Sequence, residues 1–167
     1  MAFRAEDGTG LTNSNSYASV AEFVSFWADR GVDYSDTDAE LITAALINAT
    51  DYIEMRWASK FIGKRSTEEQ ALAWPRDRAY DKDLILLEGV PRKLKLAVYE
   101  YAKRALSADL APDPSVDPNI RQLTETVGPI STTTIYAGGS SIDKWRAYPK
   151  ADQWLKELCT QPGGSYR

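Results

Sequence analysis

Two short groups of aspartates come closest to a catalytic or metal-binding pattern in this chain. Carboxylate oxygens at such spacing can bind a divalent cation. Neither stretch has the glycine and distal glutamate of an EF-hand loop, and closely spaced aspartates are typical of turns and helix caps. No Gly-rich phosphate loop or Ser-elbow motif is present. We therefore expect no enzyme, no cofactor and no metal site. The two groups are Asp33, Asp36 and Asp38, and Asp77, Asp81 and Asp83.

A second pattern interleaves bases with aromatic rings between residues 57 and 80. Proteins that bind single-stranded DNA stack bases on aromatic rings within a basic groove. Under the alternative interpretation, Trp57 and Trp74 are core or interface anchors. A pI near 4.9 also argues against a dedicated nucleic-acid binder. The members of the pattern are Trp57, Lys60, Phe61, Lys64, Arg65, Trp74, Arg76, Arg78 and Tyr80.

The composition excludes several other kinds of site. The chain has no histidine, which is the commonest general base and metal ligand. Its single cysteine, Cys159, rules out an internal disulfide and fits the apolar pattern of a terminal helix, where we expect a structural thiol. No apolar run approaches the ~20 residues that cross a bilayer. The N-terminus lacks the apolar core of a signal peptide, so we expect synthesis in a cytoplasm and no membrane partner.

Charge is unevenly distributed along the 167 residues, a length that fits one domain. Residues 1–55 carry two bases and ten acids, residues 56–104 carry twelve bases and seven acids, and residues 105–167 carry six bases and seven acids. Opposite patches attract, so the acidic front and the basic middle favour head-to-tail association of identical subunits. The alternative is two ordinary solvated helix faces.

Helical periodicity and capping signals predict a small helical bundle. A first helix is predicted over 20–30, and a long second helix follows Thr37 and ends near Trp57. A short helix over 67–73 is stopped by Pro75. The capping boxes that start these helices are Ser19 with Glu22, Thr37 with Glu40, and Ser66 with Glu69.

The second half of the chain combines helix and strand signals. Pro91 starts a helix that ends near Leu110, and a last helix begins near Pro149 or Ala151. Between them, APDPSVDP is a stiff linker, and the Thr-, Val- and Ile-rich stretch 122–136 predicts a strand or extended arm. We expect a return strand near Ile142 or in an adjacent subunit.

These elements predict a mainly α protein with an extended β arm or hairpin. Residues 1–110 form a helical bundle, residues 111–147 form the proline-rich linker and the arm, and residues 148–167 form a C-terminal helix and tail on the same domain. The first fifteen residues are expected to be an exposed lead-in. The residues expected in the core are Leu41, Leu46, Ile53, Leu72, Leu94, Val98 and Leu106.

Two segments carry a resemblance to a known family: KFIGKRSTEEQALAWPR at 60–76 and VGPIS at 127–131. They resemble, in order and at about this chain length, small phage proteins of the head-to-tail connector or adaptor family, which is also described as DnaT-like and single-stranded-DNA-binding. GTGLTNSNSYASVAEF near the N-terminus and the helix ALINATDYIE are similar to that family too. The resemblance therefore spans nearly the whole chain.

The resemblance implies a ring with twelve-fold symmetry below the portal, which extends the DNA channel and docks the tail. The implied partners are further copies of the chain, the portal protein and a tail or tail-terminator protein. Genomic DNA would pass through the lumen without sequence-specific binding. The implied location is the head-tail junction of the virion, after assembly in the host cytoplasm. The alternative function is single-stranded DNA binding by the region 56–80.

Residues of the basic stretch and of the arm are expected at an oligomer or portal interface. Trp74 is also expected to plug the short helix onto the bundle, and Arg76 to hold an acid on a neighbouring element. Charge reversal at Lys64 and Arg65 should weaken assembly, and deletion of 120–141 should leave a folded monomer that forms no ring. The expected interface residues are Lys60, Lys64, Arg65, Trp74, Arg76, Val127, Gly128, Pro129, Ile130, Thr132, Thr134 and Tyr136.

Overall fold

The computed structural model of the chain describes residues 2–112, 122–127, 130–135 and 146–160. These residues form a mainly α protein with a β hairpin, which confirms the predicted fold class. No described helix is long and apolar enough to span a membrane. The elements are α1 (Val20–Ala28), α2 (Ala39–Trp57), β1 (Lys64–Arg65), β2 (Arg76–Asp77), α3 (Arg92–Ala105), β3 (Gln122–Val127), β4 (Ile130–Ile135) and α4 (Pro149–Lys156).

The chain divides into two compact units. The first, called the body, combines Met1–Leu110 with Tyr148–Arg167, and the second is Ala111–Ala147. All four described helices belong to the body. The second unit contains the hairpin of β3 and β4.

The first helix starts where its capping box predicts. The Ser19 hydroxyl accepts the Glu22 N–H, and the Glu22 carboxylate accepts the Ser19 N–H, so two free donors of the first turn are satisfied. Phe23 and Trp27 are the buried residues of α1. The helix ends at Ala28, two residues before the predicted end at Arg30.

The long second helix differs from the prediction at its start and on one face. Asp38, rather than Thr37, caps it by accepting the Glu40 N–H at 2.9 Å. Leu41, predicted in the core, is 59% exposed, while its neighbour Ile42 is buried. Because buried residues must share one face of a 3.6-residue helix, Ile42, rather than Leu41, is in phase with Leu46 and Ile53.

The core lies between α2, α3 and α4, and α3 packs against both of the other helices. The expected core residues Leu46, Ile53, Leu72, Leu94 and Val98 are all buried, whereas Leu106 is only half-buried. Helix α3 ends at Ala105 rather than near Leu110, and α4 begins at Pro149 as predicted.

The N-terminal segment is a folded part of the body, so the expectation of an exposed lead-in is wrong. Glu6 and Ser14 are buried, and the Glu6 carboxylate accepts the N–H groups of Gly8, Gly10 and Leu11 and the Ser14 hydroxyl. The polar composition of this segment predicts exposure. The segment can be buried because the Glu6 carboxylate and the four groups that donate to it satisfy one another's hydrogen bonds.

The hairpin is formed within the arm itself. β3 and β4 are antiparallel, with Val127 opposite Ile130 and Gln122 opposite Ile135. The partner strand is therefore β4, and a return strand near Ile142 is not needed for this pairing. Ile142, Gly128, Pro129 and Tyr136 lie outside the described residues.

Candidate interaction surface

The basic stretch folds as a compact turn at the end of α2. We call residues 58–78 the basic turn. Strands β1 and β2 close it, with Lys64 opposite Asp77 and Arg65 opposite Arg76. Gly63 precedes them with a φ of +75°, and a Cβ at this position would lie 2.6 Å from the Asp77 carbonyl oxygen. Only glycine fits this approach without a backbone shift.

Residues 67–73 are not helical, so the helix predicted from Ser66 and Glu69 is wrong. The buried Gln70 side chain replaces the helical hydrogen bonds. Its Oε1 accepts the Thr67 N–H at 2.9 Å, and its Nε2 donates to the carbonyls of Leu72 at 2.7 Å and Pro75 at 3.0 Å. One side chain thus satisfies three backbone groups in a non-helical turn.

Arg76 connects two segments of the basic turn, residues 62–63 and residue 73. Its guanidinium donates to the carbonyls of Ile62 at 2.7 Å, Gly63 at 2.9 Å and Ala73 at 3.2 Å. The expectation that Arg76 holds an acid is therefore wrong, because backbone carbonyls take up its donors. Desolvation lowers the pKa of Arg76 from its ordinary value, and the residue is largely committed to the turn.

Trp74 is completely buried and stacks edge-on against Phe61, with ring centroids 5.9 Å apart. It anchors a non-helical turn in the core, where the prediction had it plug a short helix onto the bundle, and it has no surface to offer to a partner. Trp74 was predicted at the oligomer or portal interface, and its complete burial is the main correction to that set of interface residues. Trp57 and Phe61 are also buried, which confirms that Trp57 and Trp74 are core residues.

A buried polar network positions Trp74. Glu54 on α2 accepts hydrogen bonds from the Tyr17 hydroxyl and, at 3.1 Å, from the Ala73 N–H. The Tyr17 hydroxyl oxygen in turn accepts the backbone N–H of Trp74 at 3.2 Å. Desolvation raises the pKa of Glu54, and with the nearby Glu54 charge it raises the pKa of Tyr17 well above its ordinary value.

The exposed part of the basic turn is a group of cations with one aromatic ring. Lys60, Lys64, Arg65 and Arg78 are exposed, and Tyr80 just beyond the turn is 48% exposed. The Arg65 guanidinium also donates to the Gln70 carbonyl. The structure therefore leaves the bases of the predicted pattern at the surface and withdraws three of its four aromatic rings.

An acidic segment lies at the other end of α2. Residues 29–40 carry five acids and one base, while the basic turn carries five bases and three acids. Helix α2 has 19 residues, and a rise of 1.5 Å per residue separates its ends by about 28 Å. The sequence showed the charge asymmetry, and the structure places the two charged segments at opposite ends of α2.

Four of the six aspartates of the opening pattern hold turns, caps or the basic turn through their carboxylates. The carboxylates of Asp33 and Asp81 accept N–H groups two residues ahead, Asp38 caps α2, and Asp77 accepts the Ser66 hydroxyl. Within the described residues, no three acidic or cysteine side chains converge to hold a metal ion. These contacts match the turn-and-cap interpretation of the sequence.

The second unit is inserted between two points of the body that touch. The Tyr148 hydroxyl donates to the Leu110 carbonyl at 2.9 Å, so the chain leaves and re-enters the body at one place. Just beyond Tyr148, Asp152 on α4 receives both guanidinium nitrogens of Arg56 at 3.1 Å and the Tyr101 hydroxyl. Sequence reasoning missed this closure, because its partners are 38 to 96 residues apart.

The interface residues predicted on the arm fall on the hairpin as far as it is described. Val127 ends β3, while Ile130, Thr132 and Thr134 belong to β4. The register places Thr132 on β4 opposite Glu125 on β3.

The fold and the exposed surfaces define a mainly α body with an inserted β hairpin. The chain belongs to the family described as "Putative DnaT-like ssDNA binding protein", whose model matches residues 1–167. No curated protein and no solved structure matches the chain significantly.

Proposed function

We propose that the protein is a structural adaptor of the head-tail junction of a tailed phage. It forms a twelve-fold ring below the portal, extends the DNA channel and docks a tail or tail-terminator protein. The observation that carries the proposal is the hairpin unit, which is inserted at a closed root between Leu110 and Tyr148. Such an insertion can contact a neighbour without disturbing the body.

The hairpin supports association through its edges. Among the described residues its sheet contains only β3 and β4, and a two-stranded hairpin is marginal in water by itself. An additional strand from another chain satisfies the backbone groups of an edge strand. In the proposed ring, the neighbouring subunit or the portal protein provides this contact.

The charge distribution supports a head-to-tail arrangement. The acidic segment and the basic turn lie at opposite ends of α2, about 28 Å apart by the rise of the helix. A ring needs a heterologous interface, in which two different surfaces of one subunit meet those of its neighbours. Complementary ends provide two such surfaces and would steer the encounter of subunits.

Assembly with the cognate portal tests the proposal. The full chain is mixed with portal protein at low and high salt, and complexes are weighed by mass photometry. A portal-bound ring of twelve copies is the expected species. A variant that joins residue 112 to residue 146 through a short Gly-Ser linker should keep the body folded, because Leu110 and Tyr148 are already in contact, but should not form the ring. A ring formed by this variant would remove the hairpin from assembly.

A charge-reversal pair tests the role of the basic turn. Lys60→Glu with Lys64→Glu changes two exposed cations and should weaken ring formation, most clearly at low salt. Arg65, although predicted at this interface, is a poorer target because it also contacts the Gln70 carbonyl. Lys156→Glu, exposed on α4, is the control. Equal effects of the pair and the control would contradict a specific role.

The second candidate function is single-stranded DNA binding, and the family description supports it more directly than it supports an adaptor. Arg78 and Tyr80 line a cleft of about 470 Å³ together with Arg76. Tyr80 is the only exposed ring among the four aromatics of the predicted pattern, so stacking would involve one base. The exposed cations would supply the remaining affinity.

Fluorescence anisotropy with a labelled oligo-dT tests this candidate. Four phosphate contacts, one for each exposed cation of the basic turn, predict a slope of about −3 for log K against log salt, because a single strand contributes roughly −0.7 per contact. Arg78→Glu and Tyr80→Ala should each weaken binding, and Lys156→Glu should not. If the protein does not bind the oligonucleotide even at low salt, but does form a portal-bound ring in the mass-photometry assay, the adaptor function is favoured.

A further inference from the structure

A loop of the body exposes four large apolar side chains. We call residues 80–87 the apolar loop. Leu84 is 77% exposed, Ile85 61%, Tyr80 48% and Leu86 45%. Single exposed apolar residues are ordinary, but a contiguous group marks an interaction surface.

The loop is held in shape by its own hydrogen bonds. The Asp81 carboxylate accepts the N–H groups of Asp83 and Ile85, both at 2.9 Å, and the Asp81 N–H donates to the Ile85 carbonyl at 3.0 Å. Leu84 has a φ of +61°, a left-handed conformation that disfavours branched residues. The chain therefore keeps a strained leucine at a fixed, exposed tip, which suits a preorganised contact.

A groove of the body has the complementary character. It lies between α1 and α3 and has a volume of about 970 Å³. Phe26 and Tyr99 form its aromatic floor, with ring centroids 4.6 Å apart, and the Arg30 guanidinium lies over Phe26 at 3.5 Å from the ring centroid. Arg30 and Arg92 are exposed at its rim.

The charges of the loop and the groove are of opposite sign. Residues 80–87 carry two acids and one base, a net charge of −1. The groove is lined by three bases and two acids, a net charge of +1. One acid and one base of the groove, Glu22 and Lys95, already pair with each other at 2.5 Å. Arg92 is therefore the cation best placed to meet an acid of the loop.

We propose that the apolar loop of one copy docks into the α1/α3 groove of a second copy. Leu84 and Ile85 would pack against the aromatic floor beside Arg30, and Asp83 would face Arg92 at the rim. The same contact brings the basic turn, which adjoins the loop, towards the acidic segment, which adjoins the groove at Asp29. An apolar centre with a charged rim is the usual anatomy of a protein interface.

Such a contact is heterologous, so it supplies what a closed ring requires and rests on the proposed self-assembly. A membrane surface is the poorer partner for the loop, because its net negative charge would be repelled by anionic lipids. A second copy is favoured because one chain carries both the acidic apolar loop and the basic-rimmed groove.

Sedimentation velocity of the full chain measures the contact without a portal. Wild-type protein is studied in a dilution series up to about 1 mM, the range of weak specific contacts. Leu84→Asp should weaken association at least about tenfold, because it removes a buried leucine from the contact. Aspartate tolerates the left-handed conformation, so the fold should be kept. Met55→Asp, at a side chain that is 65% exposed on α2, is the matched control.

A charge swap tests the pairing itself. Asp83→Arg and Arg92→Glu should each weaken association several-fold, and the double variant should return it to near the wild-type value. Asp83 uses only its N–H within the loop, and a glutamate at position 92 suits the first turn of α3. Neither change should therefore unfold the protein, which circular dichroism checks.

Three results would overturn the inference: a wild-type chain that stays monomeric throughout the series, equal effects of Leu84→Asp and Met55→Asp, or a double variant that is no stronger than the single variants. Loop-dependent association without a portal-bound ring would uphold the contact and reject the adaptor function. A portal-bound ring that Leu84→Asp leaves intact would uphold the adaptor and reject the contact.

Discussion

Tyr17→Phe removes a single oxygen from the network that positions Trp74. The hydroxyl donates to the Glu54 carboxylate and accepts the Trp74 N–H at 3.2 Å. Phenylalanine keeps the ring and therefore opens almost no cavity. The variant separates the polar network from the surrounding apolar contacts.

The expected loss follows from the two partners. A hydrogen bond to a charged group contributes about 1.5–3 kcal/mol, and a buried N–H left without an acceptor costs about 1–3 kcal/mol. Because Glu54 retains the Ala73 N–H at 3.1 Å, we expect the lower part of the combined range, about 2–4 kcal/mol. For a chain of this size that corresponds to a fall in Tm of roughly 5–15 °C.

Urea unfolding followed by tryptophan fluorescence measures the change in the free energy of unfolding. Tyr34→Phe is the control, because the half-buried Tyr34 makes ring contacts with Phe23 and Trp27 but no side-chain hydrogen bond within the described residues. It should change the free energy by less than about 0.5 kcal/mol. If Tyr17→Phe behaves like this control, the network does not hold the basic turn.

Three further predictions follow from other contacts. Asp152→Ala should lower the free energy of unfolding by about 3–5 kcal/mol in urea, because it removes the carboxylate that pairs with the largely buried Arg56 guanidinium; a loss near 1 kcal/mol would contradict a buried pair. Desolvation raises the pKa of Glu54 from its ordinary value of 4.5, so the folded state binds this proton more tightly. The wild type should therefore gain stability relative to Glu54→Gln as pH falls from 7 towards 4.5, and a constant difference would refute the raised pKa. Burial raises the pKa of Cys159 to about 11, so Ellman's reagent at pH 8 should react roughly a hundredfold more slowly with native than with urea-unfolded protein; equal rates would show an accessible thiolate.

Local rules predicted much of the fold. The capping box at Ser19 starts α1 at the expected residue, and the prolines at positions 91 and 149 mark the starts of α3 and α4. The stretch of Thr, Val and Ile forms the β hairpin. These features depend on neighbours within a few residues, so the sequence contains all the partners involved.

The candidate surface was predicted only in part. The cations of the basic turn are exposed as expected, but Trp74 and Phe61 are buried and Arg76 binds backbone carbonyls. The spacing of aromatic and basic residues along the chain does not distinguish a surface that stacks nucleobases from a buried aromatic cluster. Either arrangement can place aromatic residues next to basic ones in the sequence. The exposure of Leu84, Ile85 and Leu86 was not predicted either, because composition does not distinguish an exposed apolar run in a loop from a buried one.

The sequence by itself determined the mainly α class, the position of the arm and the separation of charge, because periodicity, capping and composition act locally. The tertiary structure alone decided the state of residues 67–73. There the capping box of Ser66 and Glu69 competes with two other sets of hydrogen bonds. The Gln70 side chain donates to the Leu72 and Pro75 carbonyls, and the carboxylate of Glu54 on α2 accepts the Ala73 N–H. Buried hydrogen bonds to distant partners outweigh a capping preference of about 1 kcal/mol, so a strong local helix signal yields a turn.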